Sequence, residues 1–331
     1  MKLLKKLAAA SILFASAVSF TFAVDYGKLA TSLADGSLQK TVGNGLNDFG
    51  DSLGFSVPQS AVQQNVYAEA FIGKVFPAVP PHFAVGFNTG FTHLNTQGLA
   101  DAADTLGIDG VKSDLYFPVL NADVRIGGVF LPFDIGFSFM TLDVSSMIPM
   151  DAKFSAEFLT FAVDARYALL EDGLITPAIS VGVGYSMNSG SFNASNSDAE
   201  TNIDYDVKTL YGQVQISKTL NVPVVKIGFT PFIGLRGVIS NYSNDWSWKY
   251  KGESLSKIQD AAKLANLSIP ALNGDGTASS DGFGGFQPQV YGGVGFNFML
   301  IQLTASACAD LRHIGGDDNL WSGALSLRAK L

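Results

Sequence analysis

Apolar and polar side chains alternate with a period of two over long stretches of this chain. Phe83, Val85, Phe87, Thr89 and Phe91 fall on one side of such a stretch, and Ala84, Gly86, Asn88, Gly90 and Thr92 on the other. Successive side chains of an extended strand point to opposite faces, so the pattern predicts strands with one apolar and one polar face. Val225, Ile227, Phe229, Ile233, Leu235 and Ile239 oppose Lys226, Gly228, Thr230, Gly234, Arg236 and Ser240, with Phe232 and Val238 as apolar exceptions on the polar side. Ile179, Val181, Val183 and Tyr185 oppose Ser180, Gly182, Gly184 and Ser186, while Leu210, Val214 and Ile216 oppose Tyr211, Gln213, Gln215 and Ser217. Ile301, Leu303, Ala305, Ala307 and Leu311 oppose Gln302, Thr304, Ser306, Cys308, Asp310 and Arg312.

The pattern predicts strands at 65–76, 82–94, 114–126, 132–142, 156–169, 175–188, 205–218, 225–240, 284–298, 300–312 and 320–331. Short connections at 77–81, 127–131, 170–174, 219–224 and near 299 alternate with long ones at 95–113, 143–155, 189–204, 241–283 and 313–319. That rhythm is expected of a membrane barrel with tight turns at one rim and long loops at the other. The strand at 65 would then start from the long-loop rim, so something earlier must bring the chain there. Either a further strand lies within 50–62, or an N-terminal segment threads the lumen as a plug. Leu29, Leu33, Leu38, Val42, Leu46, Phe49 and Leu53 recur near helical spacing, which predicts a short helix within 27–53, packed inside or under the barrel.

The expected fold is therefore all-β, a transmembrane antiparallel β-barrel of about 12 strands, in a range of roughly 10–14, with a short N-terminal helical segment. Residues 24–53 would form the helical or plug segment and 54–331 the barrel. A two-sheet sandwich also shows alternating strands, but it buries one face of each against another sheet. Here nearly every strand keeps Gly, Asn, Gln, Ser, Thr or charge along one face. Tyr67, Phe76, Phe83, Tyr116, Tyr167, Tyr185, Tyr211, Phe298 and Trp321 lie near strand ends, where they could form interfacial girdles.

The first residues read as an export signal: Lys2, Lys5 and Lys6 precede an apolar run from Leu7 to Phe22, with cleavage expected near Ala23. The run falls short of the roughly 20 residues a spanning helix needs and contains Ser11, Ser16 and Ser19. Charged residues are 15% of the chain, against about 25% in ordinary soluble domains. Mean hydropathy is nevertheless +0.24, and Gly supplies 35 of 331 residues. Low charge without an uninterrupted apolar helix suits a barrel. The net charge of −8 becomes more negative once the signal lysines are removed, which argues against a nucleic-acid partner. Cys308 is the one cysteine, so no intrachain disulfide or cysteine metal cluster can form.

In its signal, amphipathic strands and alternating loop lengths, the chain resembles bacterial outer-membrane β-barrel proteins over most of 54–331. The resemblance implies an outer-membrane location, contact with outer-membrane lipid and insertion by the barrel-assembly machinery. The class typically ends in an aromatic residue, whereas this chain ends Arg328, Ala329, Lys330, Leu331. The helical lead-in is also similar to that of fatty-acid-transport channels, whose N-terminus plugs the lumen.

Asp-x-Arg recurs on the inferred lumen face as Asp123 with Arg125, Asp164 with Arg166, and Asp310 with Arg312. Glu69, Asp134, Lys226, Arg236, Arg328 and Lys330 fall on the same face. These charges predict either cross-strand ion pairs that brace the lumen or a constriction that selects solutes. Asp310 and Arg312 lie toward the outer rim and the other two pairs toward the periplasm, so they cannot form one ring. The 241–283 connection opens with Tyr242, Trp246, Trp248 and Tyr250 and continues as an amphipathic helix through Leu255, Ile258, Ala262 and Leu267. Its aromatic residues could pack that helix or sit at the membrane surface. Alternatively they form a lid or apolar ligand platform, completed by Leu99, Leu106 and Ile108.

No catalytic site, cofactor or metal is expected. His82, His93 and His313 are the histidines, and no nucleophile signature accompanies them. Gly182, Gly184, Gly292, Gly293 and Gly295 lie in strand contexts rather than nucleotide-binding loops. The expected function is passive passage or capture of a small solute, apolar solutes included, through a narrow channel. The alternative is a structural or surface-interaction barrel with a closed, ion-paired lumen.

Overall fold

A computed structural model describes residues 37–74, 82–105, 112–143, 153–195, 199–222, 227–264, 272–312 and 319–330. The export signal, Phe76, Leu106, Ile108, Lys226, Leu267 and His313 lie outside these residues. Helix α1 (Leu38–Gln63) precedes β1 (Phe83–Asn95), α2 (Gln97–Thr105), β2 (Asp114–Gly127), β3 (Phe133–Asp143), β4 (Lys153–Leu170) and β5 (Ala178–Ser195). There follow β6 (Ala199–Ser217), β7 (Leu220–Val222), β8 (Ile227–Tyr250), α3 (Gly252–Leu264), β9 (Asn273–Ser279), β10 (Gly284–Phe298), β11 (Ile301–Asp310) and β12 (Trp321–Lys330).

The strands pair antiparallel in the order β10, β11, β12, β1, β2, β3, β4, β5, β6, β8, and β8 pairs back with β10 to close a ring of 10. Closure removes free sheet edges, the condition for a β-structure to cross a membrane. The two remaining strands lie off the ring. β7 pairs the foot of β8, and β9 takes over from β10 along the upper part of β8, from Ser243↔Ser279 to Lys249↔Asn273.

Several expectations need correction. The long connection expected at 189–204 is mostly strand, since β5 runs to Ser195 and β6 starts at Ala199. The strand placed at 65–76 is not one: Asn65–Lys74 carries no strand pairing and runs inside the lumen. Its backbone is held instead by wall side chains. Gln215 donates to Tyr67 O (2.8 Å), Ser217 Oγ accepts from Ala70 N (2.8 Å), Asp134 accepts from Ile72 N (3.1 Å), and Arg166 donates to Glu69 O (2.7 Å). Buried backbone groups need partners, and the wall supplies them without a sheet. Nor is there a strand within 50–62, because α1 continues through Leu53 to Gln63. Finally, Tyr242, Trp246, Trp248 and Tyr250 belong to the 24-residue β8 rather than to a loop.

Helix α1 takes the threading route. Leu38, Val42, Leu46, Phe49 and Leu53 form a buried stripe at helical spacing, while Gln39, Lys40 and Asp48 face solvent. From Ser56 to Gln63 every residue is buried, polar ones included, because the barrel wall surrounds that part of the helix. At 26 residues, α1 spans about 39 Å, long enough to run from the loop rim well into the barrel. Gln59 reaches Ser322 (3.3 Å) and Gln63 reaches Ser306 (2.8 Å). Asn65–Lys74 then descends to the short-turn rim, where Lys74 O meets His82 Nδ1 at 2.7 Å, beside the start of β1.

The alternation of the long strands inverts partway up. In the turn-side half of β8, Phe229, Ile233 and Leu235 point outward and are exposed, whereas Thr230, Arg236 and Ser240 point inward and are buried. Above Ser240, Trp246, Trp248 and Tyr250 point inward and are buried, while Asp245 and Lys249 are exposed. Strand β6 does the same: Leu210, Val214 and Ile216 are exposed, but higher up Ile203, Tyr205 and Val207 are buried. The exposed apolar residues at 227–235 match the roughly 9–11 residues of a membrane-crossing strand. Phe87, Phe137, Phe161, Val183, Phe296, Leu303 and Leu325 continue the belt around the ring. Above the belt, the strand tops wrap α1, α2 and α3 into a cap with a water-soluble protein's polarity. Leu38, Val42, Leu46, Phe49, Ala102, Phe117, Phe158, Ile203, Tyr205, Trp248 and Ile258 share its apolar core.

The candidate site: a filled lumen beneath a capped mouth

The lumen wall carries a buried ion-pair lattice. Arg125 on β2 reaches Asp134 on β3 (2.5 Å) and Asp164 on β4 (2.6 Å), while Arg166 on β4 reaches Asp134 (2.9 Å). Arg328 on β12 pairs with Asp123 on β2 at 3.0 Å and also donates to Asn88 at 2.7 Å. The partners lie on different strands rather than within each Asp-x-Arg, because residues two apart share a face without touching, and Arg125–Asp164 and Arg328–Asp123 each reach across an intervening strand over a glycine, Gly136 and Gly86. At the rim the opposite holds: Arg312 folds back onto the fully buried Asp310 at 2.8 Å.

Into this lattice the plug inserts Tyr67. Its hydroxyl donates to Asp123, and its ring centroid lies 3.7 Å from the guanidinium carbon of Arg328, 4.5 Å from that of Arg125 and 5.6 Å from that of Arg166. Cation–π contact is strongest where water is excluded, and the ring is 1% exposed. Tyr67 and Tyr211 are thus lumen residues rather than girdle residues. Tyr116, Tyr167, Phe298 and Trp321 do face outward, and Phe91, Tyr116 and Trp321 form an edge-to-face cluster on β1, β2 and β12. Lys330 pairs with Glu69 of the plug.

Arg236 stands apart from the lattice. It is 3% exposed and has no carboxylate within salt-bridge reach among the described residues; its contacts are the Tyr291 ring (4.4 Å), Gln63 Oε1 (3.4 Å) and Cys308 Sγ (3.8 Å). The apolar exceptions on the polar face now have a cause. Phe232 packs with Val66 and Ala68 of the plug, and Val238 with Val62, so wall positions turn apolar where the plug is apolar.

In the cap, Trp246 Nε1 donates to Asn47 Oδ1 (2.8 Å), and Tyr242 donates to Asp51 Oδ1 (2.7 Å). Tyr242 lies above the apolar belt; burial, then the hydrogen bond and charge of Asp51, push its phenol up, so it remains a donor. Tyr242 and Trp246 therefore pack α1, and Trp248 and Tyr250 join the apolar core of the cap. Leu99 packs against the same core, and α3 lies near its expected place. His93 Nε2 sits 3.0 Å from Asp114 Oδ1. Among the described residues no three His, Cys, Asp or Glu groups converge as a metal site, and no helix is long and apolar enough to cross a membrane.

No family model and no curated protein matches the chain. Solved structures similar to it include the translocator domain of the autotransporter NalP from Neisseria meningitidis, at 9% identity and TM-score 0.36 over 91% of this chain and 100% of that one. The β domain of the Bordetella autotransporter BrkA is similar at 10% identity and TM-score 0.34, over 76% and 100% of the two chains. The outer-membrane protease OmpT from Escherichia coli is similar at 9% identity and TM-score 0.35, over 76% and 96%. Identities and TM-scores this low carry no role across. The closed ring, apolar outer belt and charged interior themselves define the class: this is a β-barrel of the outer-membrane type, with its own N-terminal segment inside it.

Proposed function

We propose that the protein is a bacterial outer-membrane barrel, exported by its N-terminal signal and inserted by the barrel-assembly machinery, whose lumen is closed at rest. Its working surface is then the loop-side cap, where it captures a small solute. The observation that carries this reading is the layer in which Tyr67 fills the lumen between Arg125, Arg166 and Arg328. A passive pore needs a continuous water path, and here the plug side chains and wall arginines occupy it. The test is single-channel conductance of the refolded chain in planar bilayers. The native chain should be electrically silent, and steady ohmic conductance would reject the closed lumen.

A second reading, a gated channel, is favoured by one feature. The lattice pairs Arg125–Asp134, Arg125–Asp164, Arg166–Asp134 and Arg328–Asp123 join wall to wall, whereas α1 meets the wall through hydrogen bonds, by Gln59 and Gln63 in the lumen and by Asn47 and Asp51 in the cap. The plug could leave with those pairs intact. Rare, full-amplitude openings in an otherwise silent native chain would favour gating.

A further inference from the structure

Among the described residues, β11 and β12 are the shortest strands of the ring, 10 residues each against 24 in β8. There a cleft of about 430 Å³ exposes the flank of α1, lined among others by Asp51, Phe55, His93, Arg312, Asn319 and Leu320. Its size falls within the roughly 300–1,000 Å³ of small-molecule sites.

Two opposite charges flank an aromatic ring in this cleft. Arg312 lies with its guanidinium carbon 5.3 Å from the Phe55 ring centroid. Asp310 engages its Nε (3.2 Å) and Nη2 (2.8 Å), which fixes the guanidinium plane. The Arg312 side chain is 29% exposed, so the head group is held yet reachable. Asp51 lies one helical turn before Phe55, on the same face of α1. Tyr242 holds one of its oxygens, Oδ1.

We propose that this cleft binds a short zwitterionic peptide with an aromatic or large apolar side chain. Its ammonium would meet Asp51, its carboxylate Arg312, and its side chain Phe55 and Leu320. A two- or three-residue peptide carries its two charges at opposite ends of its backbone, with a side chain between them to meet the Phe55 ring. This proposal rests on the cap being the working surface but not on the lumen being closed. Calorimetry reads the first and conductance the second, so the two can fail separately.

The test is isothermal titration of the refolded full chain in detergent with the dipeptide Ala-Phe, its N-acetyl form and its C-terminal amide. Saturable binding of the free dipeptide is expected, with affinity falling about tenfold or more on capping either end, the scale of one lost charge-assisted contact. Asp51→Asn, which can still accept from Tyr242, should erase the penalty for N-acetylation alone; Arg312→Gln should erase that for the amide alone. Absence of binding at millimolar dipeptide would overturn the proposal, as would equal affinity for all three ligands. The capping series uses the native chain, so it decides the matter even if a variant fails to fold.

Discussion

Arg328 and Tyr67 meet face on in the lumen, with 3.7 Å between the guanidinium carbon and the ring centroid, while the same guanidinium pairs with Asp123 at 3.0 Å. One residue belongs to the last strand and the other to the segment preceding the first, so the contact ties the chain's plug to its barrel closure. Arg125 and Arg166 approach the same ring, and the carboxylates of Asp123, Asp134 and Asp164 offset the gathered positive charge.

Tyr67→Ala should therefore cost more than an ordinary core truncation. It removes the aromatic partner of three buried arginines, and a loss of about 3–5 kcal/mol is expected, the range for deleting a buried aromatic side chain. Tyr67→Phe keeps the ring and loses only the donor to Asp123, so it should cost about 1–3 kcal/mol. Urea unfolding of both variants in detergent measures the difference. Equal losses would mean that the hydroxyl, not the ring, anchors the plug.

Two charge deletions should differ sharply in their effect on stability. Asp134→Ala leaves Arg125 and Arg166 without a shared partner and should cost about 3–5 kcal/mol, as breaking a buried pair does. Arg236→Met removes a buried cation that no carboxylate among the described residues neutralises and leaves an apolar stem beside Tyr291, so it should be neutral or stabilising. Thermal unfolding of the two variants under one condition checks the signs. A large loss in Arg236→Met would show that its contacts with Gln63 and Tyr291 outweigh the desolvation cost.

Gly45 of α1 and Gly98 of α2 touch backbone to backbone, and a Cβ added to either would strike the other's carbonyl oxygen. Gly45→Ala should loosen the cap although alanine favours a helix by about 1 kcal/mol over glycine. The membrane-crossing half should be spared. Of the three tryptophans, Trp246 and Trp248 report on the cap and Trp321 on the outer surface. Increased quenching of Trp emission with unchanged far-ultraviolet dichroism is expected, and unchanged quenching would place the cap's rigidity elsewhere.

The strands were legible because each wall strand faces lipid on one side and lumen on the other, and Phe229 against Thr230 records that difference directly. The inward charges were legible for the same reason, including Asp123, Arg125, Asp164, Arg166 and Arg236. The plug was only half legible. Leu38 to Leu53 show a stripe because the cap buries one face of the helix, but Ser56 to Gln63 are buried all round and leave no period to read. Asn65–Lys74 alternates like a strand, yet its hydrogen-bond partners are Gln215, Ser217, Asp134 and Arg166, and nothing local in the sequence announces a wall of side chains. Phe232 and Val238, exceptions to the alternation, were the available sign that something apolar occupies the lumen.

Closure of the lumen can be read most directly at Cys308. It is the one cysteine in the chain, faces inward, is 3% exposed and packs against Val66 and Ala68 of the plug and Phe232 and Tyr291 of the wall. The measurement is modification of the folded barrel by a small, charged, water-soluble thiol reagent, followed by mass, with the urea-unfolded chain as reference. A plugged lumen should leave Cys308 unmodified when folded and fully modified when unfolded. Rapid, complete modification of the folded barrel would mean that water reaches mid-lumen, contradicting closure by the chain's own N-terminal segment.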